Sequence, residues 1–424
     1  MKKILTAAMI LAGAMTADSF IFEAQASAEV IMIENILSVK GVAEVYGDGE
    51  KISRAVIEYP KKLNAQTIFT DSFAVEGKVI ESVSVKKNLV TLNFANENTA
   101  FDGDLNSKPD RPKNTSGDAP RRSSRRLPDL NFSVRQVEKI YAADGTEFYP
   151  SGKSIRAEIS APVVESFSPH VYTDETGLEM PYNIFLPEGY DGDKKFPLVV
   201  FIADASANIN EVTTPLIQGN GATSFAARDF QKKHPCIILA PQYTADLVDE
   251  IGMMTTDENV WTRGLSLTTN LIFDVIKNYA VDTSRIYGTG QSQGGMANIA
   301  ISDRYPELFA AQLLVACQWN TDEMKILRDK NLWIVVCEGD TKAFPAMNAA
   351  VANWEELGAK VASNENFWDS KAPVAELNKK VRQLEKQRAN INYTVFAGGN
   401  HMYTWSFAYN ISALRDWLFK YKNF

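Results

Sequence analysis

Apolar and polar positions alternate with a period of two through residues 29–161. Ala43–Glu50 carries a strand and a turn, and Ser53–Tyr59 a second strand. Thr67–Val75, Val79–Val85 and Leu89–Phe94 read as further strands, with turn residues between them. Short strands at this spacing predict an all-β sandwich. No cluster of catalytic residue types falls within it. Asp102–Pro128 breaks the pattern: it is rich in Pro, Asn, Ser, Asp and Arg, and contains Arg121-Arg122-Ser123-Ser124-Arg125-Arg126. Such a run reads as a disordered insertion and a solvated loop. Contact of the basic cluster with an anionic surface or polysaccharide is the functional alternative.

From about Val163 the period changes. Met180–Leu186, Phe196–Ile202 and Pro235–Ala240 read as strands, Ser224–Lys233 and Ser266–Tyr279 as helices. The strand at Arg285–Tyr287 is followed by a helical pattern from Met296 to Ile301. Phe309–Ala316, Leu332–Val336 and Tyr393–Phe396 are three more strands, separated by helical stretches. This alternation predicts a second domain over 162–424: a mainly parallel sheet with helices on both faces, its catalytic groups at the C-terminal ends of the strands. Ala372–Arg388 reads as an added charged helix with a solvated face. A partial lid, with Trp368 facing substrate, is the alternative. Pro162, Pro169 and the apolar residues between them predict a short, stiff junction, with the sandwich packed on the second domain and lining one wall of its cleft.

A length of 424 residues agrees with two domains. A net charge of −8 and a pI near 5.2 argue against a nucleic-acid partner. Lys2 and Lys3 followed by apolar Ile4–Ala17 and the small-x-small sites at Ala24–Ala28 predict a secretory signal over 1–28. That signal implies an extracytoplasmic protein with no stable membrane insertion after cleavage; a retained anchor is the alternative. The three cysteines, Cys236, Cys317 and Cys337, lie in apolar runs and read as buried free thiols.

The chemistry gathers around Gly290-Gln291-Ser292-Gln293-Gly294. A strand before it, a helix after it and a third glycine at Gly295 make the context of a nucleophile elbow, with Ser292 at the apex. A serine hydroxyl needs a base, and the base needs an orienting acid. There are only three histidines. His170 lies outside the strand-helix alternation, and His234 opens a strand at the wrong edge. His401 follows the last strand in a Gly-rich loop, where chain order puts the base. The strand Leu332–Val336 runs into Cys337-Glu338-Gly339-Asp340, which offers the acid. Asp340 is preferred, because Gly339 allows a turn toward His401, and Glu338 is the alternative. Two N–H donors must meet the oxyanion. These are the amide of Gln293 and one from Ala203-Asp204-Ala205-Ser206, assigned to Ala205.

With these residues in view, the stretch from about Val171 to Phe424 resembles an α/β-hydrolase of the polyhydroxybutyrate-depolymerase and feruloyl-esterase type, often labelled predicted peptidases. The resemblance rests on the elbow Tyr287–Met296, the acid loop Glu338–Pro345 and the histidine segment Asn400–Tyr409. It implies a Ser292, His401, Asp340 triad. The N-terminal strands resemble the immunoglobulin-like domain that precedes some of these esterases. There is one departure. The oxyanion loop of such proteins commonly starts His-Gly, or His-Asp-Ala-Gly in forms closer to this chain, where this chain has Ala203-Asp204-Ala205-Ser206. Gln318 and Trp319, after the strand beyond the elbow helix, are candidate substrate contacts, as is Trp405; the core is the alternative for each. The expectation is a secreted serine hydrolase acting on small-molecule or polymer carboxylic esters through an acyl-enzyme. It needs no metal or organic cofactor. A peptidase of the same fold and a catalytically impaired surface binding protein are the alternatives.

Overall fold

The computed structural model describes residues 35–95 and 127–423. The expected signal over 1–28 lies outside them, as does the polar insertion Asp102–Pro128 apart from its last two residues. The described N-terminal strands form a five-stranded sheet in the order Glu158–Ser160, Ser38–Tyr46, Gly49–Glu58, Leu89–Phe94, Ile80–Lys86. Phe73–Val75, Ser133–Gln136 and Ile155–Arg156 make a second, three-stranded sheet. Alternate side chains turn inward, so Ile52, Ile57, Val90, Leu92 and Val134 form one apolar core. Tyr59 is buried and donates its hydroxyl to Gln136 Oε1 at 3.0 Å.

Thr67–Val75 is not the single strand that its pattern predicts. It begins as two 3₁₀ turns, Ala65–Thr67 and Thr70–Ser72, and extends only at Phe73–Val75. Local side-chain bonds compete with the sheet. Asn64 Oδ1 accepts from Gln66 N–H, and Ser72 Oγ accepts from Phe69 N–H at 3.0 Å.

The second part is a nine-stranded sheet. Its order is Ser168–Thr173, Glu179–Phe185, Ile237–Pro241, Phe196–Ile202, Val281–Gln291, Ala311–Val315, Leu332–Cys337, Ile391–Phe396, Val361–Ser363. Glu179–Phe185 pairs antiparallel with both neighbours, and the remaining ladders are parallel. Phe196–Ile202 and Leu332–Cys337 are buried at every position, as strands covered on both faces must be. Their side chains divide by parity. Leu198, Val200, Ile202, Ile334 and Val336 enter one core, while Val199, Phe201, Trp333, Val335 and Cys337 enter the other.

Two edge strands, Ser168–Thr173 and Val361–Ser363, lack an apolar run and go beyond the sequence reading. The helix expected over Ser224–Lys233 is two, Thr223–Ala226 and Arg228–Lys233, because Ala227 is extended at ψ 134°. The charged helix is Val374–Glu385; it buries Leu377, Val381 and Leu384 in the second core and bonds Asn378 Oδ1 to Ala413 N–H at 2.8 Å. Trp368 packs in that core, edge-on to Phe396, and lines a surface pocket with Phe367 and Lys380 that none of Ser292, His401 and Asp340 lines. The described sandwich and sheet belong to one compact unit, Asn35–Phe424.

Candidate active site

The site is built at the C-terminal edge of the parallel strands. Val281–Gln291 runs out at Gln291, and the helix Gln293–Arg304 begins two residues later. Ser292, between them, has φ 50° and ψ −120°, a conformation that costs a residue with a β-carbon about 1–3 kcal/mol. Close packing around it holds the strain. Ser292 N–H donates to Val315 O at 3.1 Å, and Ser292 O accepts from Met296 N–H at 2.9 Å. A β-carbon on Gly294 would lie 1.8 Å from Ile202 O, one on Gly290 2.6 Å from the same oxygen, and one on Gly295 2.5 Å from Cys317 Sγ. The glycines are therefore required by contact.

His401 opens the helix His401–Ala408, whose first turn is capped by Asn400 Oδ1 accepting from Tyr403 N–H at 2.9 Å. The loop before it passes through Gly398 and Gly399 at φ 60° and 68°, values that favour glycine. It lies against the acid loop backbone to backbone. Gly339 N–H donates to Gly398 O at 3.0 Å, and a β-carbon on Gly339 would meet Gly399 O at 2.0 Å. Gly339 thus serves close approach.

These loops bring Ser292, His401 and Asp340 into one hydrogen-bonded run. Imidazole Nε2 is 2.8 Å from Ser292 Oγ, and Nδ1 is 2.7 Å from Asp340 Oδ2. The imidazole is partly exposed, while the Asp340 side chain is only 1% exposed. Asp340 Oδ1 accepts from Lys342 N–H at 3.1 Å and Ala343 N–H at 2.9 Å, at the start of the helix Ala343–Glu356. Burial alone raises the carboxyl's pKa. The bond and charge of His401, with the two amides, outweigh burial and hold it below the usual carboxylate range. Glu338 faces elsewhere, accepting from Gly398 N–H at 3.0 Å.

The loop after Phe196–Ile202 is pinned on several sides. Asp204 Oδ1 accepts from Ser206 N–H at 2.7 Å, and Asp204 Oδ2 from Gln291 Nε2 at 3.1 Å. Gln242 Nε2 donates to Ala207 O at 2.9 Å. The Asn208 and Gln293 side-chain amides exchange two long hydrogen bonds, of 3.4 and 3.3 Å. Gln293 is the first residue of its helix, where an N–H has no acceptor inside the helix. In the facing turn, Ser206 and Ala207 both donate to Asp204, leaving Ala205 N–H as the amide outside that set. Sequence reasoning missed Gln242, Gln291 and Asn208. Polar residues beside the C-terminal ends of buried parallel strands were the available signal.

Residues 38–149 match the model of the esterase Ig-like N-terminal domain, and residues 270–423 that of the prolyl oligopeptidase family. Comparison with curated proteins gave no match. Among solved structures, a thermostable esterase superposes with a TM-score of 0.70 at 22% identity, over 91% of this chain and 100% of its own. A feruloyl esterase module from Clostridium thermocellum gives a TM-score of 0.39 at 14% identity, over 58% and 87%. A poly(3-hydroxybutyrate) depolymerase from Bordetella parapertussis gives 0.35 at 15% identity, over 59% and 91%. The chain is a serine hydrolase of the α/β-hydrolase fold. An immunoglobulin-like domain precedes the hydrolase sheet.

The remaining residues singled out in the sequence fall as follows in the hydrolase. Trp405 is buried and stands edge-on to His401, ring centroids 5.3 Å apart. Trp319 is packed in the first core with its indole N–H on Glu323 Oε2 at 2.7 Å. Gln318 is half-buried, and its Oε1 has no protein partner. His170 stacks on Tyr182 in the edge strand, and His234 lies 3.1 Å from Asp416 and stacks on Phe419. All three cysteines are buried and unpaired, and burial pushes the thiols of Cys236 and Cys337 up to about 12. Among the described residues, no helix is long and apolar enough to cross a membrane.

Proposed function

We propose that this hydrolase cleaves carboxylic esters through a Ser292–His401–Asp340 triad. The observation that carries the reading is the continuous run of short hydrogen bonds from Ser292 Oγ through the imidazole to a buried, ionised carboxylate. Ser292 Oγ attacks the ester carbonyl carbon while His401 Nε2 takes its proton. Asp340 holds the Nδ1–H tautomer and stabilises the imidazolium. Negative charge collects on the carbonyl oxygen, which the amides of Gln293 and Ala205 meet. The tetrahedral species collapses with cleavage of the bond to the alcohol, whose oxygen takes the proton from His401. Water then adds to the acyl-enzyme, giving its proton to the same nitrogen, and the acid leaves as Ser292 recovers its hydrogen. The pinned Asp204–Asn208 loop supports this role, since backbone donors need rigidity and no particular side chain.

The domain reading is 29–161 as the immunoglobulin-like part and 162–424 as the catalytic part. Release from the cell through the 1–28 signal is the proposed address, supported by its charged start and short apolar run. An ester substrate, small or polymeric, is favoured by the esterase description of the N-terminal family. One observation favours a peptidase instead: the match of residues 270–423 to the prolyl oligopeptidase model.

The deciding experiment compares wild type and Ser292→Ala with a fluorophosphonate probe, p-nitrophenyl esters and peptide p-nitroanilides. Labelling and ester turnover in wild type, both abolished in the variant, are expected. Probe labelling with faster anilide than ester cleavage gives the peptidase. Absence of labelling and turnover in a folded wild type gives the binding protein. Turnover retained by a folded Ser292→Ala refutes the mechanism.

A further inference from the structure

The tip of the first hairpin in the immunoglobulin-like domain is buried, although hairpin tips ordinarily face water. Ser38–Tyr46 and Gly49–Glu58 pair up to Tyr46 and Gly49, so the turn is Gly47-Asp48. Gly47, Gly49 and Glu50 are all buried. What covers the tip is the helix that carries His401. A β-carbon on Gly47 would lie 1.7 Å from Ser406 O and 2.4 Å from Ser406 C, so the two backbones are in contact. Ser406 sits in the helix His401–Ala408, next to Trp405, the ring that stands edge-on to the imidazole.

The tip also has a second neighbour. A β-carbon on Gly219 would lie 3.1 Å from Gly47 O and 4.0 Å from Trp405 Cδ1. The residue before it, Gln218, accepts through Oε1 from Ser206 Oγ at 3.4 Å, and Ser206 belongs to the loop that carries Ala205. The turn is therefore wedged between the base-bearing helix and a segment bonded to the oxyanion loop. Lys51 Nζ lies 2.6 Å from Asp48 Oδ2 and ties the tip across its own strand.

We infer that Gly47 is a positioning residue: the hairpin tip sets the distance between His401 and the oxyanion donors, so the immunoglobulin-like domain is a working part of the catalytic centre. The inference rests on the triad reading above. Two glycines are needed because the tip must reach bare backbone on one side and admit a bare backbone on the other. The tip meets the helix at Ser406 rather than at the reacting atoms, so it acts on the rate of the chemical step and not through a substrate contact.

The test uses the full chain with p-nitrophenyl acetate. Gly47→Ala inserts a methyl group against Ser406 O and lifts the tip. A displacement near 1 Å at a catalytic group costs on the order of 10²-fold in rate. We expect kcat to fall by about that factor with KM little changed, and fluorophosphonate labelling of Ser292 to slow in parallel. Gly77→Ala is the control for stability alone, because Gly77 has φ +70° with nothing within 4 Å of its added methyl. It should lower Tm and leave kcat unchanged well below Tm. Wild-type kcat in folded Gly47→Ala overturns the inference, as does a fall in kcat that both variants share in proportion to their Tm. If Gly47→Ala does not fold, Gly219→Ala, whose clash is milder, must give the same kcat-specific loss, and wild-type kcat there overturns it equally. Ser292→Ala separates the two readings. Turnover retained in Ser292→Ala refutes the triad, whereas a dead Ser292→Ala beside a fully active Gly47→Ala refutes only the role of the tip.

Discussion

Replacing Asp340 with asparagine tests the acid at the level of single atoms. One oxygen of Asp340 takes the amides of Lys342 and Ala343, and the other takes His401 Nδ1. In Asp340→Asn the two backbone donors demand the amide oxygen, so the NH₂ must face the imidazole. Nδ1 then accepts a hydrogen bond instead of donating one, and Nε2 carries the hydrogen. In that tautomer His401 donates toward Ser292 and cannot take its proton. The expected loss is about 10⁴ in kcat, or about 5 kcal/mol of transition-state stabilisation, with the fold retained. Glu338→Gln keeps an amide oxygen that can accept from Gly398 N–H and removes only an exposed charge, worth about 1 kcal/mol, and should change kcat by less than about tenfold. The assay is kcat and KM on p-nitrophenyl acetate for both variants, with circular dichroism as the check on folding. A folded Asp340→Asn within about tenfold of wild type, or a larger loss in Glu338→Gln, refutes the assignment.

Further expectations concern stability. Asp416 is pulled down to about 2 because its bonds with His234 and Lys233 outweigh the opposing effect of burial. A depressed carboxylate stabilises above its unfolded pKa, about 3.9, and that gain is lost as pH falls toward the folded value. Asp416→Asn should therefore lower Tm at pH 7 and match wild type near pH 2 in urea titrations. Asp303 has the opposite sign: burial, then the charge of Glu323, raises it to about 8, and neither oxygen has a protein partner. The cost of burying it grows from about pH 4 upward to pH 8. Asp303→Asn should raise Tm at pH 8, by on the order of 5 °C, with the gain vanishing at pH 4; no gain at pH 8 refutes the burial argument. Gly294→Ala drives a methyl group into Ile202 O and should cost about 3 kcal/mol or more in urea denaturation. The three buried thiols should resist a thiol reagent in the native protein and react once it is unfolded.

The large features were legible because each left a periodic or compositional mark. Leu332–Cys337 and Phe196–Ile202 are unbroken apolar runs, and buried parallel strands have few other readings. The elbow was legible because glycines at 290, 294 and 295 around one serine imply packing no side chain tolerates, and the clashes built on Gly290, Gly294 and Gly295 are that packing. What was not legible depends on partners distant in the chain. Nothing in Asn208 announces the bonds with Gln293, and nothing in Gly47 announces Ser406. The edge strand Ser168–Thr173, exposed or half-exposed throughout, has no apolar run to mark it. Local bonds of Asn64 and Ser72 bent Thr67–Val75 against its β-branched composition.

The elbow strand is tied to residues far downstream. Tyr287 donates its hydroxyl to Tyr421 O at 2.9 Å, Asn423 N–H donates to Ser284 O at 2.8 Å, and His401 meets Ser292 across 109 positions. Contacts of such long span close late and slowly when a chain folds. A chain emerging during synthesis therefore carries its serine before it carries the base that would activate it. Ester turnover should recover after helical ellipticity has already returned, so the activity reports the completion of folding rather than its onset.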